Sequence, residues 1–117
     1  MYQLKVILAS TRTARKGPLV AEWFMEQLRG NTHFNAKLID LKALDLPFLN
    51  EPEQPRLKHY HHDHTKRWSA IAEAADAFVI VTCEYNFGYP APLKNALDFL
   101  YQEGNNKPVG FVGYGGI

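Results

Sequence analysis

The 117-residue sequence has a single cysteine, Cys83. One cysteine cannot form an internal disulfide, which excludes a disulfide-scaffolded module and suits a reducing compartment. Long apolar runs are also missing: nothing approaches the ~20 residues that span a bilayer. Met1-Tyr2-Gln3-Leu4-Lys5 runs directly into a short apolar segment, without the basic start and long apolar stretch of a secretion signal. The expectation is a cytoplasmic protein with no membrane partner. Charge of one sign is missing as well, with 13 Lys plus Arg against 12 Asp plus Glu and a net charge of +1. That balance leaves no basic tract for nucleic acid and no polybasic membrane anchor. Neither the G-x-G-x-x-G dinucleotide fingerprint nor a Walker A pattern occurs at the first strand-to-helix loop, which argues against classical NAD-binding and ATPase folds. There is no internal repeat and no low-complexity tract. What remains is an ordinary globular composition, 46% hydrophobic, at a length that fits one domain, residues 1–117.

Along the chain, Leu4 to Ala9 reads as a buried strand of aliphatic and β-branched residues. A polar loop, Ser10 to Gly17, leads to Pro18, which suits a first helical turn because its missing N–H costs nothing there. Val20, Trp23, Phe24, Gln27 and Leu28 follow at helical spacing, and Gly30-Asn31 stops the helix. Asn35 to Leu41 predicts a second strand. Lys42 to His64 is irregular, carries Pro47, Pro52 and Pro55, and is long for a loop, a common mark of function. Thr65 to Ala75 predicts a helix with Trp68, Ile71, Ala72 and Ala75 on one face. Ala77 to Cys83 is apolar almost throughout, as a central parallel strand covered on both faces should be. After the loop Glu84 to Pro90 comes a helix from Pro92 to Tyr101, then a fourth strand, Pro108 to Tyr114.

The order β-α-β-loop-α-β-α-β implies parallel strands joined by right-handed crossovers. Ligands bind such sheets at the carboxyl ends of the strands, near the topological switch point. Three loops emerge there: Ser10 to Gly17, Glu84 to Pro90, and Tyr114 to Gly116. The first combines hydroxyls, two arginines and a helix N-terminus, all of which suit a phosphate. By composition alone, that loop fits an anion site and a solvated connection equally well.

The second loop is more specific. Glu84-Tyr85-Asn86, followed by Pro90-Ala91-Pro92-Leu93-Lys94-Asn95-Ala96-Leu97-Asp98-Phe99-Leu100, closely resembles the signature of the NADPH-dependent FMN reductase family. Ser10-Thr11-Arg12, the segment from Asp40-Leu41 to Leu46-Pro47, and the stretch from Lys107-Pro108 to Tyr114-Gly115-Gly116 resemble other parts of that family. The resemblance covers nearly the whole chain. It implies an α/β fold, a flavodoxin-like three-layer sandwich with a parallel sheet of strand order 2-1-3-4. The fifth strand and flanking helices of relatives are absent from this chain.

The resemblance also implies bound FMN, a hydride donor (NADPH or NADH) and a small-molecule electron acceptor such as a quinone or azo compound. The flavin carries the chemistry, so no side chain is expected to be catalytic and no metal is expected. Ser10, Thr11, Arg12, Arg15, Gly17 and Leu19 are implied at the phosphate. Glu84, Tyr85, Asn86 and Phe87 are implied beside the ribityl chain and ring, and Tyr114, Gly115 and Gly116 at the ring. The sequence departs from the family with Ala9 before the first-loop Ser, Cys83 before Glu84, and Gly104 after Glu103. Two other readings stay open: a flavodoxin-type electron carrier, disfavoured by the neutral charge and Arg12, and an inactive truncated relative. With the fifth strand absent, Pro108 to Tyr114 becomes an edge, and alternate positions among Phe78, Ile80, Val109 and Phe111 lose cover. A homodimer or higher homo-oligomer is therefore expected, with the helix from Pro92 to Tyr101 at an interface.

The remaining chemistry-bearing residues have plainer readings. Cys83 reads as a packed core thiol at the end of a buried strand. His59, His61, His62 and His64 read as a solvated loop. Trp23, Phe24 and Trp68 read as core contacts, and Lys94 with Asp98 as an i,i+4 ion pair. Glu84 reads as a loop-ordering and binding residue.

Overall fold

A computed structural model describes residues 1–116. Its four strands are β1 (Tyr2–Leu8), β2 (Phe34–Asp40), β3 (Ala77–Thr82) and β4 (Val109–Gly113), all parallel, in the order β2-β1-β3-β4. The register places Leu4 beside Ala36 and Ala77, and Ile80 beside Phe111. The helices are α1 (Gly17–Gln27), a short α2 (Leu41–Leu44), α3 (Asp63–Glu73) and α4 (Ala91–Asp98). Among the described residues no helix is long and apolar enough to cross a membrane.

Alternate side chains of the sheet feed two cores. On one face Ile7, Ile39, Phe78 and Ile80 pack with Trp68, Leu93 and Phe99 from the α3 and α4 side. Trp68 and Phe99 are completely enclosed, each worth roughly 1.5–3 kcal/mol of burial. The Trp68 indole N–H donates to the Ala96 carbonyl at 2.9 Å, tying α3 to α4. On the other face Leu4, Val6, Leu8 and Val81 pack against Ala21, with Val20, Phe24 and Leu28 beside them.

Trp23 corrects the sequence reading. Its ring is 57% exposed, because the buried stripe of α1 runs through Gly17 and Ala21 while Leu19 and Trp23 face outward. The loss of cover expected at the sheet edge falls on β4 alone. Val109 and Phe111 are exposed, but Phe78 and Ile80 are buried.

The stretch from Lys42 to His64 holds more structure than its prolines suggest. Asp40 caps α2 by accepting from the Lys42 N–H, and a single 3-10 turn covers Pro55–Leu57. Two carboxylates then staple the rest. Glu51 accepts from the His61 and His62 backbone N–H groups and from the Thr65 hydroxyl. Glu103, fully buried, accepts from the Tyr60 phenol at 2.5 Å, the Ser69 hydroxyl at 2.6 Å and the Tyr101 N–H at 3.1 Å. Burial pushes the Glu103 carboxyl up, but the Ser69 and Tyr60 hydrogen bonds outweigh it and hold the group below its ordinary value. The histidines are taken up locally: the His61 ring meets Glu53 at 2.9 Å, and the His62 and His64 rings meet Asn50.

Candidate functional site

The carboxyl ends of β1, β3 and β4 lie side by side because the register aligns them. Ala9 N–H donates to the Val81 carbonyl at 3.0 Å, and Tyr114 N–H to the Thr82 carbonyl at 3.1 Å, so pairing continues just past the strand ends. The three loops that follow border an open cavity of about 580 Å³. Arg12, Arg15 and Lys16 line it from the first loop, Glu84 and Tyr85 from the second, and Gly115 and Gly116 from the third.

Within the first loop the two arginines differ. The Arg15 guanidinium donates to both Asp40 carboxylate oxygens, at 2.7 and 2.8 Å, and to the Ser10 carbonyl at 2.8 Å. This bidentate pair holds the Asp40 carboxyl below its ordinary value and raises the Arg15 guanidinium above its own. Arg15 therefore fastens the loop to the end of β2. Arg12 is exposed, and its guanidinium makes a long 3.4 Å contact to the Ala14 carbonyl. Its guanidinium remains able to meet an anion.

Beneath the loop, Ser10 is 1% exposed and accepts from the Tyr114 phenol at 3.2 Å. Gly17, the first residue of α1, sits against this pair. A Cβ there would fall 2.4 Å from Ser10 Oγ, 2.6 Å from the Tyr114 hydroxyl oxygen and 2.7 Å from Leu8 Cδ1. Glycine at this point lets the start of α1 touch the sheet. No side chain caps α1; Pro18 has no N–H, and the Leu19 N–H donates to the Lys16 carbonyl at 3.2 Å, so what the start of α1 offers an anion is mainly its dipole.

The second loop is a tight hairpin. Tyr85 and Gly88 exchange backbone hydrogen bonds at 2.9 and 3.1 Å, with Asn86 at φ 53° and Phe87 at φ 68° between them. Two-residue hairpins of the primed type need two such left-handed residues, and Phe87 holds that conformation against its side chain's preference. The Glu84 carboxylate steadies the turn by accepting from the Phe87 N–H at 3.0 Å. The neighbouring Cys83 thiol raises the Tyr85 phenol, and burial raises Tyr114.

Of the residues anticipated from the sequence, Arg12, Arg15, Leu19, Glu84, Tyr85, Tyr114, Gly115 and Gly116 line this cavity. Ser10 and Gly17 lie beneath it. Thr11 lines a different cavity, and Phe87 projects fully into solvent at the hairpin tip. Lys16, Val20 and Cys83 line the cavity without having been anticipated. Cys83 is half-buried there, which corrects its reading as a core thiol. The signal available for it was position alone, one residue past a strand's carboxyl end.

The fold has parallels among solved structures. A flavoenzyme NAD(P)H:(acceptor) oxidoreductase from Paracoccus denitrificans superposes with a TM-score of 0.75 at 24% identity, over 97% of this chain and 60% of that one. That likeness is one of fold. An NAD(P)H-dependent FMN reductase of Schizosaccharomyces pombe is 43% identical over 116 residues, covering 97% of this chain and 58% of the relative. An NADPH azoreductase of a Bacillus species is 30% identical over 115 residues, covering 97% and 59%. The chain thus spans about three fifths of the length of the curated relatives it matches. The family described as NADPH-dependent FMN reductase matches residues 3–117, and the chain belongs to that family.

Proposed function

We propose that the three-loop cavity binds FMN, and that the protein is a reductase drawing electrons from NADPH or NADH. The carrying observation is the cavity itself. The exposed Arg12 guanidinium and Lys16 line it beside the uncapped start of α1, and the open Gly115-Gly116 backbone lines it from the third loop. A flavin mononucleotide suits both, with a dianionic phosphate for the cations and a planar ring for the open backbone. The residues fit it: a Cβ at Gly115 would meet nothing closer than Glu84 Cγ at 3.7 Å, and one at Gly116 would meet nothing within 4 Å. That face is open to a flat group.

In this reading Arg12 and Lys16 hold the phosphate by charge-assisted hydrogen bonds, at the positive end of the α1 dipole. Arg15 does not spend its charge there but locks the loop's shape through Asp40. The Tyr85–Gly88 hairpin forms a rigid wall, kept by Glu84. When bound, the flavin supplies the two-electron chemistry, from hydride donor to a quinone, azo or similar acceptor. The protein's share is position and electrostatics. Exposed Leu97, Tyr101, Val109 and Phe111 support a homodimer or higher homo-oligomer, read by light scattering.

Incubation with FMN, gel filtration and denaturation test the assignment. The retained protein should absorb near ~450 nm and release FMN, and it should oxidise NADPH when a quinone is present. A colourless protein after incubation overturns the reading, and a flavin-loaded protein inert to both nucleotides reduces it to a carrier.

A further inference from the structure

Ser10 is held at two of its atoms. Its carbonyl accepts from the Arg15 guanidinium at 2.8 Å, and Arg15 is in turn anchored on Asp40. Its buried hydroxyl oxygen accepts from the Tyr114 phenol at 3.2 Å, across 104 positions of sequence. This pair has no slack on the side of α1, because the point where a Gly17 Cβ would stand lies within 2.6 Å of both oxygens. The third loop, by contrast, has few ties of its own. The Tyr114 N–H donates to the Thr82 carbonyl at 3.1 Å, and beyond it Gly115 and Gly116 make no hydrogen bond among the described residues. Glycine is the residue whose backbone loses most freedom on ordering. Among the described residues, the Tyr114 phenol is therefore the side-chain hydrogen bond that joins the loop of Gly115 and Gly116 to the loop of Arg12 and Lys16.

We propose that Tyr114 is a positioning residue that couples the two halves of the flavin site, so that an anion held at the first loop orders the third loop for the ring. The proposal rests on the FMN reading above. An anion at Arg12 and Lys16 fixes the first loop, which begins at Ser10. A fixed Ser10 hydroxyl holds the Tyr114 phenol, and the held phenol fixes the residue from which Gly115 and Gly116 continue. A ring that then settles on the glycine backbone meets a loop that is already ordered, which gives positive cooperativity without a large movement. Linkage makes the effect reciprocal: a ligand with the ring alone tightens the anion site by the same factor.

The probes are inorganic phosphate, an anion without a ring, and riboflavin, the ring and ribityl chain without a phosphate. Riboflavin is titrated by fluorescence with and without phosphate, with potassium chloride holding the ionic strength constant. In the wild type, phosphate should tighten riboflavin binding roughly two- to tenfold, the worth of one hydrogen bond. In Tyr114→Phe, which keeps the aromatic ring and loses only the hydroxyl, riboflavin should bind equally with and without phosphate. A residue that merely supported the fold would weaken both ligands and leave their mutual effect in place. A wild type indifferent to phosphate, or a Tyr114→Phe protein that keeps the enhancement, overturns the proposal. Ser10→Ala removes the acceptor of the same hydrogen bond, should abolish the enhancement likewise, and serves if Tyr114→Phe does not fold. A flavin-free arm separates this proposal from the FMN reading. In amide NMR spectra, phosphate should shift the Gly115 and Gly116 resonances of the wild type along with those of the first loop, but only the first-loop resonances of Tyr114→Phe. First-loop amides that respond while Gly115 and Gly116 do not would overturn the coupling and leave the FMN reading standing. Amides that respond nowhere would overturn both. If riboflavin fails to bind the wild type, the FMN reading fails and the NMR arm still decides the coupling.

Discussion

Replacing Gly17 with alanine introduces one methyl group where three atoms already stand within 2.7 Å: Ser10 Oγ, the Tyr114 hydroxyl oxygen and Leu8 Cδ1. All three are side-chain atoms, so the strain is relieved by displacement of side chains. Ser10 and Leu8, however, are 1% and 2% exposed and have little space to enter. Overpacking of this kind costs about 1–3 kcal/mol. Separation of the Tyr114–Ser10 hydrogen bond adds about 0.5–1.5 kcal/mol. Alanine's better helix propensity returns up to about 1 kcal/mol, and less at the first position of α1. The expected net destabilisation is about 1–3 kcal/mol. At the unfolding entropy typical of a chain this long, that is roughly 4–12 °C in Tm. Urea unfolding at constant m-value measures it. Gly104→Ala, where a Cβ would meet nothing within 4 Å, serves as the control and should shift stability by less than about 0.5 kcal/mol. FMN affinity of Gly17→Ala should also fall, since the start of α1 and the Tyr114 loop both border the cavity. A Gly17→Ala protein as stable as wild type would refute the argument that this joint is closely packed.

Other outcomes follow from the same geometry. Glu103→Leu removes the acceptor to which Tyr60, Ser69 and the Tyr101 N–H all donate, and leaves those donors unpaired in a buried site. A loss of about 2–4 kcal/mol in urea unfolding is expected, and a neutral result would mean that the staple is not needed. Asp40 has a lowered carboxyl through its hydrogen bonds from Arg15, so its contribution to stability is present above the unfolded value near ~3.9 and fades as pH falls below it. Asp40→Asn should therefore lower stability at pH 7 and flatten the acid limb of the stability profile below about pH 5. An acid limb of unchanged slope would count against the Arg15–Asp40 pair.

The sheet was legible because its physics is local. Ala77 to Thr82 is apolar at nearly every position, as a strand enclosed on both faces must be. Alternation of strands with helical periodicity left parallel pairing as the natural arrangement. Helix ends shifted by a few residues: α3 begins at Asp63, two residues before the expected Thr65, after extended His62. What sequence could not show was pairing over distance. Arg15 looks available to an anion until Asp40, 25 positions away, engages both of its terminal nitrogens. Asn95 holds Pro47 and Leu49, and Glu103 holds Tyr60 and Ser69, over separations of 34 to 48 residues. No local pattern encodes such partners. Phe87 was anticipated beside the ring because its neighbours carry the signature, but the hairpin turns its side chain outward.

In the proposed function, Arg12 and the start of α1 hold the phosphate of a flavin mononucleotide. A fluorescence titration of flavin-free protein with FMN and with riboflavin, in the wild type and in Arg12→Ala, tests it directly. Riboflavin has the same ring and ribityl chain without the phosphate. The wild type should prefer FMN, and Arg12→Ala should weaken FMN binding by about 1.5–3 kcal/mol, roughly 10- to 150-fold. Riboflavin affinity should be nearly unchanged by the substitution. Equal affinity of the wild type for the two flavins, or an FMN dissociation constant indifferent to Arg12→Ala, would contradict the account.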